Sequence, residues 1–186
     1  MMNKRVRVAN NEQSWYEVVE GDSLEQGDIL SACPIAVPSA KLTFPVPTAT
    51  FPAQLQLTDV VIMTQSCDLV NEKLEDIILC PHWDLKEAGQ MDPVLGKKDT
   101  WQLVLRGQRY QYALLEQWQG GEGISMGIRI VDFGRIFSLP RNFVMQFATN
   151  RGKRLRLRPP YREHLSQSFA RFFMRVGLPQ NIKLPE

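Results

Sequence analysis

The apolar positions of this chain fall into short runs separated by turn residues, a pattern that is typical of β-strands. The clearest run is Val60–Thr64, which is rich in β-branched residues and predicts a buried strand. The run Asp76–Cys80 predicts the next strand, which we expect to end at Pro81. Because the polar stretch Leu69–Glu75 predicts a turn between them, we expect the two strands to pair as a hairpin.

Weaker patterns predict the other elements of the fold. Glycine and proline interrupt the helical pattern of Trp83–Lys98, and turn residues bound the other segments. We expect strands at Ser14–Glu20, from Gly27 toward Cys33 and at Gly127–Phe133, a hairpin of Trp101–Leu105 with Arg109–Leu115, a strand and a helical turn within Phe137–Phe147, and an interrupted helix over Trp83–Lys98.

A proline-rich stretch precedes the central strand. Five prolines fall between residues 34 and 52, and proline has no amide hydrogen to donate to a sheet. The stretch therefore predicts an extended loop with pieces of edge strand. Apolar residues such as Phe44 and Phe51 would anchor it, as in a binding or covering loop.

The C-terminal region predicts a basic strand and then the best helix in the chain. Leucine and arginine alternate from Arg154 to Arg158, which fits a strand. A proline precedes the helix at Tyr161–Val176 and Gly177 follows it, as is usual at helix ends. Its apolar residues are spaced three or four apart on one face: Leu165, Phe169, Phe172, Phe173 and Val176.

Several short strands followed by one terminal helix predict a mainly β (α+β) fold in a single domain over residues 1–186. We expect residues 14–150 to form a small SH3-like barrel or a curled antiparallel sheet, with the proline-rich loop 34–52 inserted in it. Residues 151–178 would add the basic strand and an amphipathic helix that caps the core.

Composition narrows the class of protein. Hydrophobic residues make up 44% of the chain and charged residues 23%, as in ordinary globular proteins, and no apolar run is long enough to cross a bilayer. Three cysteines, and a basic N-terminus without an apolar signal core, predict a cytoplasmic location.

The charge is distributed unevenly along the chain. Residues 151–186 hold nine basic and two acidic residues, whereas residues 1–150 hold 13 basic and 18 acidic residues. A basic C-terminal region of this kind can bind nucleic acid, or it can dock on the acidic body of the same chain.

The residues best suited to chemistry follow the central strand, and Cys67 is the first candidate. A cysteine nucleophile needs a nearby base, usually histidine, and the predicted hairpin could bring His82 toward Cys67. Asp68 would then orient the imidazole as the third member of a catalytic triad. The alternative is that Cys67 is a small buried residue at a strand end.

Cys33, Cys67, Cys80 and His82 also match the three thiolates and one imidazole of some structural zinc sites. Cys80 and His82 lie two residues apart, so on a strand both would face the same side. No cysteine pair has the Cys-x2-Cys spacing of zinc knuckles, and packing explains the cysteines as well. We therefore predict no metal and no other cofactor.

Thr64, Gln65 and Ser66 have two interpretations. Small polar side chains at this position often hydrogen-bond the backbone of a following turn, and this is the interpretation that we favour. The end of a buried strand is also where many folds bind ligands, so the three residues remain candidates for ligand binding.

Arg154, Arg156 and Arg158 form the second candidate binding site. On a strand these three residues would line one outer face while Leu155 and Leu157 face the core. Arginines spaced two apart can contact successive phosphates of a nucleic acid. The alternative is a solvated face, or ion pairs with the acidic body.

Three segments together resemble a family of uncharacterised bacterial and phage-associated proteins. They are Gly27-Asp28-Ile29-Leu30 with Cys33-Pro34, Thr64-Gln65-Ser66-Cys67-Asp68-Leu69, and Pro160-Tyr161-Arg162-Glu163-His164-Leu165 leading to Phe172-Phe173-Met174-Arg175-Val176-Gly177-Leu178-Pro179. The resemblance covers most of the chain and implies no particular activity.

A looser similarity links the chain to the small SH3-like barrels of the PemK/MazF toxin group, in which a Gly-Asp-Ile strand also precedes a Val-Val-Ile strand. In those ribonucleases an Arg-Pro pair commonly leads into the second strand and contributes to RNA cleavage. This chain has Leu57-Thr58-Asp59 there instead, a departure that argues against ribonuclease activity. Fold similarity alone would not establish function.

The sequence thus predicts a non-catalytic binding module, an accessory protein of a bacterial defence or mobile-element system. We expect its partner to be another protein, with nucleic acid as a second candidate through the basic C-terminal segment, and we expect no membrane contact. The alternative is an enzyme, either a cysteine-dependent one using Cys67 with His82 or a toxin-like ribonuclease.

Overall fold

The computed structural model of the protein describes residues 14–39, 44–45, 53–121 and 123–174. The basic N-terminus, most of the proline-rich loop and the predicted helix end at Val176 and Gly177 lie outside these ranges.

The described residues contain ten strands and five helices. The strands are β1 (Tyr16–Val19), β2 (Ile29–Pro38), β3 (Ala53–Ile62), β4 (Asp76–Asp84), β5 (Tyr112–Leu115), β6 (Trp118–Gly121), β7 (Ile124–Met126), β8 (Arg129–Asp132), β9 (Phe137–Pro140) and β10 (Arg154–Leu157). The helices are α1 (Ser66–Val70), α2 (Leu85–Met91), α3 (Lys98–Leu105), α4 (Arg141–Arg151) and α5 (Tyr161–Phe173).

All strand pairs among the described residues are antiparallel. The main sheet has the order β2-β3-β4-β8-β5, and β9 pairs with the first half of β4. Two smaller sheets pair β1 with β10 and β6 with β7. These strands do not close into a barrel, so of the two predicted architectures the antiparallel sheet is the one that fits. The mainly β (α+β) class and the C-terminal helix are confirmed.

The predicted central strand owes its continuous apolar run to a core on each of its faces. Val60 and Ile62 belong to one cluster of buried residues, which α4 covers with Val144 and Ala148. Val61 belongs to another, which also contains residues of β8, β10 and α5. A strand that is buried on both faces has no position for an exposed polar side chain.

Prolines occupy the positions that a sheet tolerates. β2 is an edge strand and contains Pro34 and Pro38, which agrees with the prediction of edge-strand pieces. Pro81 does not end β4, as the sequence predicted, because it lies between two pairings. β9 pairs as far as Leu79, and β8 pairs from His82 onward.

Two local predictions are wrong. Trp101–Leu105 belongs to α3 and not to a hairpin, since Thr100 and Val104 are buried four residues apart on one helical face. Trp83 lies in β4, and two separate helices replace the interrupted one. The turn expected at Leu69–Glu75 does form, although its first two residues belong to α1.

The two last helices cover the two main clusters. α4 extends the helical turn expected near Phe147 to eleven residues. α5 packs Leu165, Phe169 and Phe172 against the cluster that contains Val61, which agrees with the predicted apolar face. Phe173, at the end of α5, is instead exposed.

The buried carboxylate of Asp28 connects the N-terminal part of the described chain with β10, which lies toward its C-terminal end. Asp28 is fully buried, and its Oδ2 accepts a hydrogen bond of 2.8 Å from Nε of Arg154. Nε of Arg156 donates to Oδ1, and its Nη2 donates to Oδ2 at 3.0 Å. The guanidinium groups also donate to the carbonyl oxygens of Gly21 and Ser23. The carboxylate and its two arginines therefore form a hydrogen-bonded cluster inside the protein, which we call the Asp28 cluster.

The backbone beside Asp28 links three strands. The N–H of Gly27 donates to the carbonyl of Ile62 at 2.8 Å, and the carbonyl of Gly27 accepts from Leu157 at 3.1 Å. Gly27 has a φ of +87°, and a Cβ there would lie 2.8 Å from Cβ of Leu157. Only glycine fits this position, because both the backbone conformation and the space exclude a side chain.

None of the helices in the described ranges has the length and apolar character needed to cross a membrane.

The Asp28 cluster generates a prediction for stability. Asp28→Asn should lower the free energy of unfolding by about 3–5 kcal/mol, because it removes the carboxylate that pairs with the buried Arg154 and one of the two that pair with the buried Arg156. Denaturant unfolding measures this difference. Asp22→Asn, at an exposed aspartate six residues earlier, is the control and should change stability by less than about 0.5 kcal/mol. Equal effects of the two substitutions would contradict the prediction.

Candidate functional site

Two of the three arginines that were expected to line an outer face of β10 are buried in the structure. Leu155 and Leu157 face the core as expected, but Arg154 and Arg156 are buried and do not line an outer face. Burial opposes the charge of Arg156, yet the hydrogen bonds and the charge of Asp28 outweigh it and raise the pKa of the guanidinium. Arg158 is half-buried after the end of β10. The expected outer row of three arginines is therefore wrong, and ion pairing with the acidic body describes Arg154 and Arg156.

Cys67 is exposed on α1 and not buried at a strand end. The nearest polar atoms to its Sγ are Oε1 of Gln65 at 3.6 Å and Oδ1 of Asp68 at 3.8 Å. Asp68 also pairs with Nζ of Lys73 at 3.4 Å. Asp68 therefore pairs with a lysine and not with a histidine. The contacts of Gln65, Cys67 and Asp68 are those of a surface turn.

The triad of Cys67, Asp68 and His82 is not assembled. Both ring nitrogens of His82 are buried without a hydrogen-bond partner, so neither contacts the thiol. The hairpin pairing explains this, because Met63 bonds to Ile78 and His82 lies four residues further along β4, roughly 13 Å at the rise of a strand. Cys67 lies beyond the opposite end of the same strand pair.

The four residues considered for a zinc site, which are Cys33, Cys67, Cys80 and His82, are also dispersed. Cys33 and Cys80 belong to different core clusters, and burial raises the pKa of their thiols to about 11 and about 12 respectively. In the parts of the chain that the structure describes, no three His, Cys, Asp or Glu side chains are grouped to hold a metal ion.

Thr64 and Ser66 stabilise the turn after the central strand. Oγ1 of Thr64 accepts a 2.7 Å hydrogen bond from the N–H of Ile78, across the hairpin. Oγ of Ser66 accepts at 3.1 Å from the N–H of Gln26. Gln65 is exposed beside Cys67. The contact of Thr64 agrees with a structural role in the hairpin, whereas Ser66 bonds the segment before β2 and not the turn that follows it.

The residue that most needs an explanation is His82. Its side chain is buried, with a relative exposure of 1%. Neither ring nitrogen has a hydrogen-bond partner of ordinary geometry, and the backbone of Val60 gives the ring only a weak one. A buried polar atom without a partner costs about 1–3 kcal/mol. His82 lines a cleft of about 100 Å³ that β2, β4, β7, β8 and β10 enclose, and we call this space the His82 cleft.

Arg129 on β8 lies beside His82 in the same cleft. Its Nη1 is 3.4 Å from Oδ2 of Asp59, whereas its Nε is buried without a partner. Oδ1 of Asp59 accepts from the N–H of Ala32 at 2.8 Å. The backbone of β2 thus orients Asp59, Asp59 orients Arg129, and unused donor capacity remains in the cleft.

The rim of the His82 cleft adds positive charge and hydroxyl groups. Arg151 and Lys153 precede β10, and Ser31 and Ser125 lie on β2 and β7 respectively. All four are exposed residues. No carboxylate is among the described residues that line the cleft, so its lining charges are all positive.

Burial lowers the pKa of His82 to about 4, and the charge of Arg129 acts in the same direction. The charge of Asp59 and a hydrogen bond to the backbone of Val60 act in the opposite direction. The imidazole is therefore neutral near pH 7, with one nitrogen that donates and one that accepts. The lining of the cleft thus combines a neutral imidazole with the guanidinium of Arg129.

His82 and Arg154 were predicted as candidates, but the other residues of the cleft were not. Arg129 and Ser125 lie in unremarkable strand segments, and the contacts that place them beside His82 come from strands distant in sequence. The available signal was a histidine two residues after Cys80, just beyond a predicted strand. It could not identify the neighbours.

No family model matches this chain, and neither a curated protein nor a solved structure matches it. Function is therefore inferred from the sequence and the geometry of this chain alone.

The low pKa of His82 makes stability depend on pH. Below pH 6.5 the unfolded chain binds a proton at this histidine, whereas the folded chain does so only near pH 4. Stability from this group is therefore present above pH 6.5 and falls by about 3 kcal/mol as the pH drops to 4. In buffers without phosphate or sulfate, His82→Leu should lose this part of the pH dependence. Replacement of the exposed His164 by glutamine should retain it, and parallel curves for wild type and His82→Leu would contradict the assignment.

Exposure predicts the reactivity of the thiols. In the native protein Cys67 should react with a thiol reagent much faster than Cys33 and Cys80, because those two are buried and their pKa values are raised. Mass spectrometry of the labelled peptides measures the three rates, and Cys67→Ser should remove the fast phase. A fast phase that persists in Cys67→Ser would show that a buried cysteine is accessible in solution.

Proposed function

We propose that this protein is a non-catalytic binding module and that its His82 cleft holds an oxyanion, such as a phosphate group of its ligand. The observation that carries the proposal is the buried imidazole of His82, which has no hydrogen bond of ordinary geometry and only a weak one to the backbone of Val60, in a cleft whose charged lining is entirely cationic. Charge-assisted hydrogen bonds from guanidinium, ammonium and imidazole groups are the usual means of binding such anions.

A water molecule in the cleft could satisfy the imidazole. It would not explain why the charged side chains that line the cleft are all positive. Arg129 and the rim residues Arg151 and Lys153 place positive charge around one small space. Asp59 neutralises one side of Arg129 from outside the cleft. Nε of the same guanidinium has no hydrogen-bond partner among the described residues, and a bound anion would accept from it.

The size of the cleft also favours a small group. Its volume is about 100 Å³, whereas a cavity of about 150 Å³ accommodates benzene. A tetrahedral oxyanion fits such a space, and the remainder of a larger ligand would extend past the exposed Ser31 and Ser125 at the rim.

The absence of chemistry at His82 supports a binding role over a catalytic one. Its nitrogens do not hydrogen-bond to either serine, so the cleft lacks the paired nucleophile and base of covalent catalysis. The exposed Cys67 lies elsewhere. Turnover of RNA or DNA that disappears in Cys67→Ala or Asp68→Ala would instead support the alternative of an enzyme.

Nucleic acid remains a candidate partner, now through a different set of side chains. The arginines first expected to contact phosphates are used in the Asp28 cluster, while Arg151 and Lys153 stay exposed beside the cleft. The accessory role in a bacterial defence or mobile-element system, and a protein partner, stay predictions from the sequence.

Calorimetric titration of the full chain with sulfate tests the proposal, because sulfate is tetrahedral and keeps its double charge across the useful pH range. We expect saturable binding that strengthens as the pH falls from 7.5 toward 5.5, since a bound anion raises the pKa of His82 and binding then takes up a proton. Ser125→Glu, which places a negative charge at the exposed rim, should weaken binding at least about tenfold.

The matched control is Ser125→Gln, which has nearly the same size and no charge. Its affinity should stay within about twofold of wild type, because the two variants differ in charge alone. Non-saturable heats, or equal loss of affinity in the glutamate and glutamine variants, would reject the His82 cleft as an anion site.

A further inference from the structure

A second cleft lies between α3, β5 and α5, and it shares no lining residue with the His82 cleft. Its volume is about 190 Å³, which is more than the roughly 150 Å³ that accommodates a benzene ring. Apolar side chains such as Val104, Leu115 and Leu165 line it. We call it the aromatic cleft, because four aromatic residues also line it: Trp15, Tyr110, Tyr112 and Tyr161.

Two of these rings form a fixed platform. Trp15 and Tyr161 stack with ring centroids 4.2 Å apart and planes 12° from parallel. The backbone of Arg158 ties them together, since its N–H donates to the carbonyl of Trp15 and its carbonyl accepts from the N–H of Tyr161, both at 2.9 Å. A platform held in this way loses little conformational entropy when a flat ligand packs on it.

The charged lining of the aromatic cleft is cationic. Arg109 follows α3 and Arg171 lies on the last turn of α5. Nη1 of Arg171 lies 4.0 Å from the position that a Cβ of Gly107 would occupy, so the guanidinium extends from α5 to the turn after α3. Within the described part of the chain neither arginine forms an ion pair, and no carboxylate lines the cleft.

We propose that the aromatic cleft binds a nucleotide, with its base among the aromatic rings and its phosphate at Arg109 and Arg171. Aromatic faces beside a positively charged surface are the combination with which proteins hold unpaired bases. The volume fits a flat ring, and the two guanidinium groups fit a phosphate. This inference goes beyond the oxyanion site at His82 and does not rest on it.

The test compares ligands that differ by one part of the nucleotide. Binding of adenosine monophosphate and of ribose 5-phosphate to the full chain is measured by calorimetry, with saturation-transfer NMR to show which ligand protons contact the protein. We expect ribose 5-phosphate, which lacks the base, to bind about tenfold more weakly, and the base protons to receive the strongest transfer. Equal affinity of the two ligands would overturn the proposal.

Variants assign the binding to this cleft. Arg171→Gln should weaken binding of adenosine monophosphate about tenfold, whereas Arg106→Gln, at an exposed arginine that does not line the cleft, should leave it within about twofold. Ser125→Glu, which closes the His82 cleft to anions, should also leave it unchanged. Loss of binding in Ser125→Glu but not in Arg171→Gln would assign the nucleotide to the other site and reject the proposal.

A short single-stranded oligonucleotide distinguishes the two sources of this chemistry. Tighter binding than the mononucleotide, with a steep dependence on salt, would identify single-stranded nucleic acid as the ligand. Equal or weaker binding would identify a free nucleotide, and either result supports a base in the cleft. Absence of saturable binding by both ligands would overturn the proposal.

Discussion

The rest of this structure depends on the buried carboxylate of Asp28. A buried charge is tolerated when opposite charges and hydrogen bonds surround it, and here Arg154 and Arg156 supply both. The same turn bonds through its backbone to β3 and β10. One short segment thus holds β3 of the main sheet and β10, the last strand among the described residues, in fixed positions. Glu25 extends the arrangement outward, since it binds Arg156 and also Arg162 at the start of α5.

This arrangement also determines where the two clefts lie. Anchoring β10 beside Asp28 places Arg151 and Lys153, which precede it, at the rim of the His82 cleft. Anchoring the start of α5 places Tyr161 against Trp15 and its last turn near Gly107, which forms the aromatic cleft. The two arginines of the Asp28 cluster therefore support both candidate sites, and Arg154 itself lines the His82 cleft. Their role is to position other residues, and substitutions there would be felt at each cleft through the backbone.

Much of the fold was predictable because its signals are local. The run at Val60–Thr64 predicted a buried strand, the alternation at Arg154–Arg158 a strand and the spacing at Tyr161–Val176 a helix. Each predicted element forms within its segment, although β3 ends at Ile62, β10 at Leu157 and α5 at Phe173. Errors arose where short patterns are ambiguous, as at Trp101–Leu105, or where partners elsewhere decide the outcome, as at Pro81. The same limit applies to the sites. Exposure of an arginine and satisfaction of a histidine depend on what the rest of the chain brings beside them.

The distance along the chain between the members of the Asp28 cluster has a consequence for folding. Asp28 and Arg154 are 126 residues apart, so the contact closes a very long loop, and contacts of this kind slow folding. During synthesis the earlier strands emerge before the arginines that neutralise the carboxylate exist outside the ribosome. The core around β3 can then collapse but cannot bury Asp28 without a charge penalty. The native arrangement is therefore completed only when a segment made 126 residues after Asp28 is present, and nascent chains would remain incompletely packed until β10 arrives.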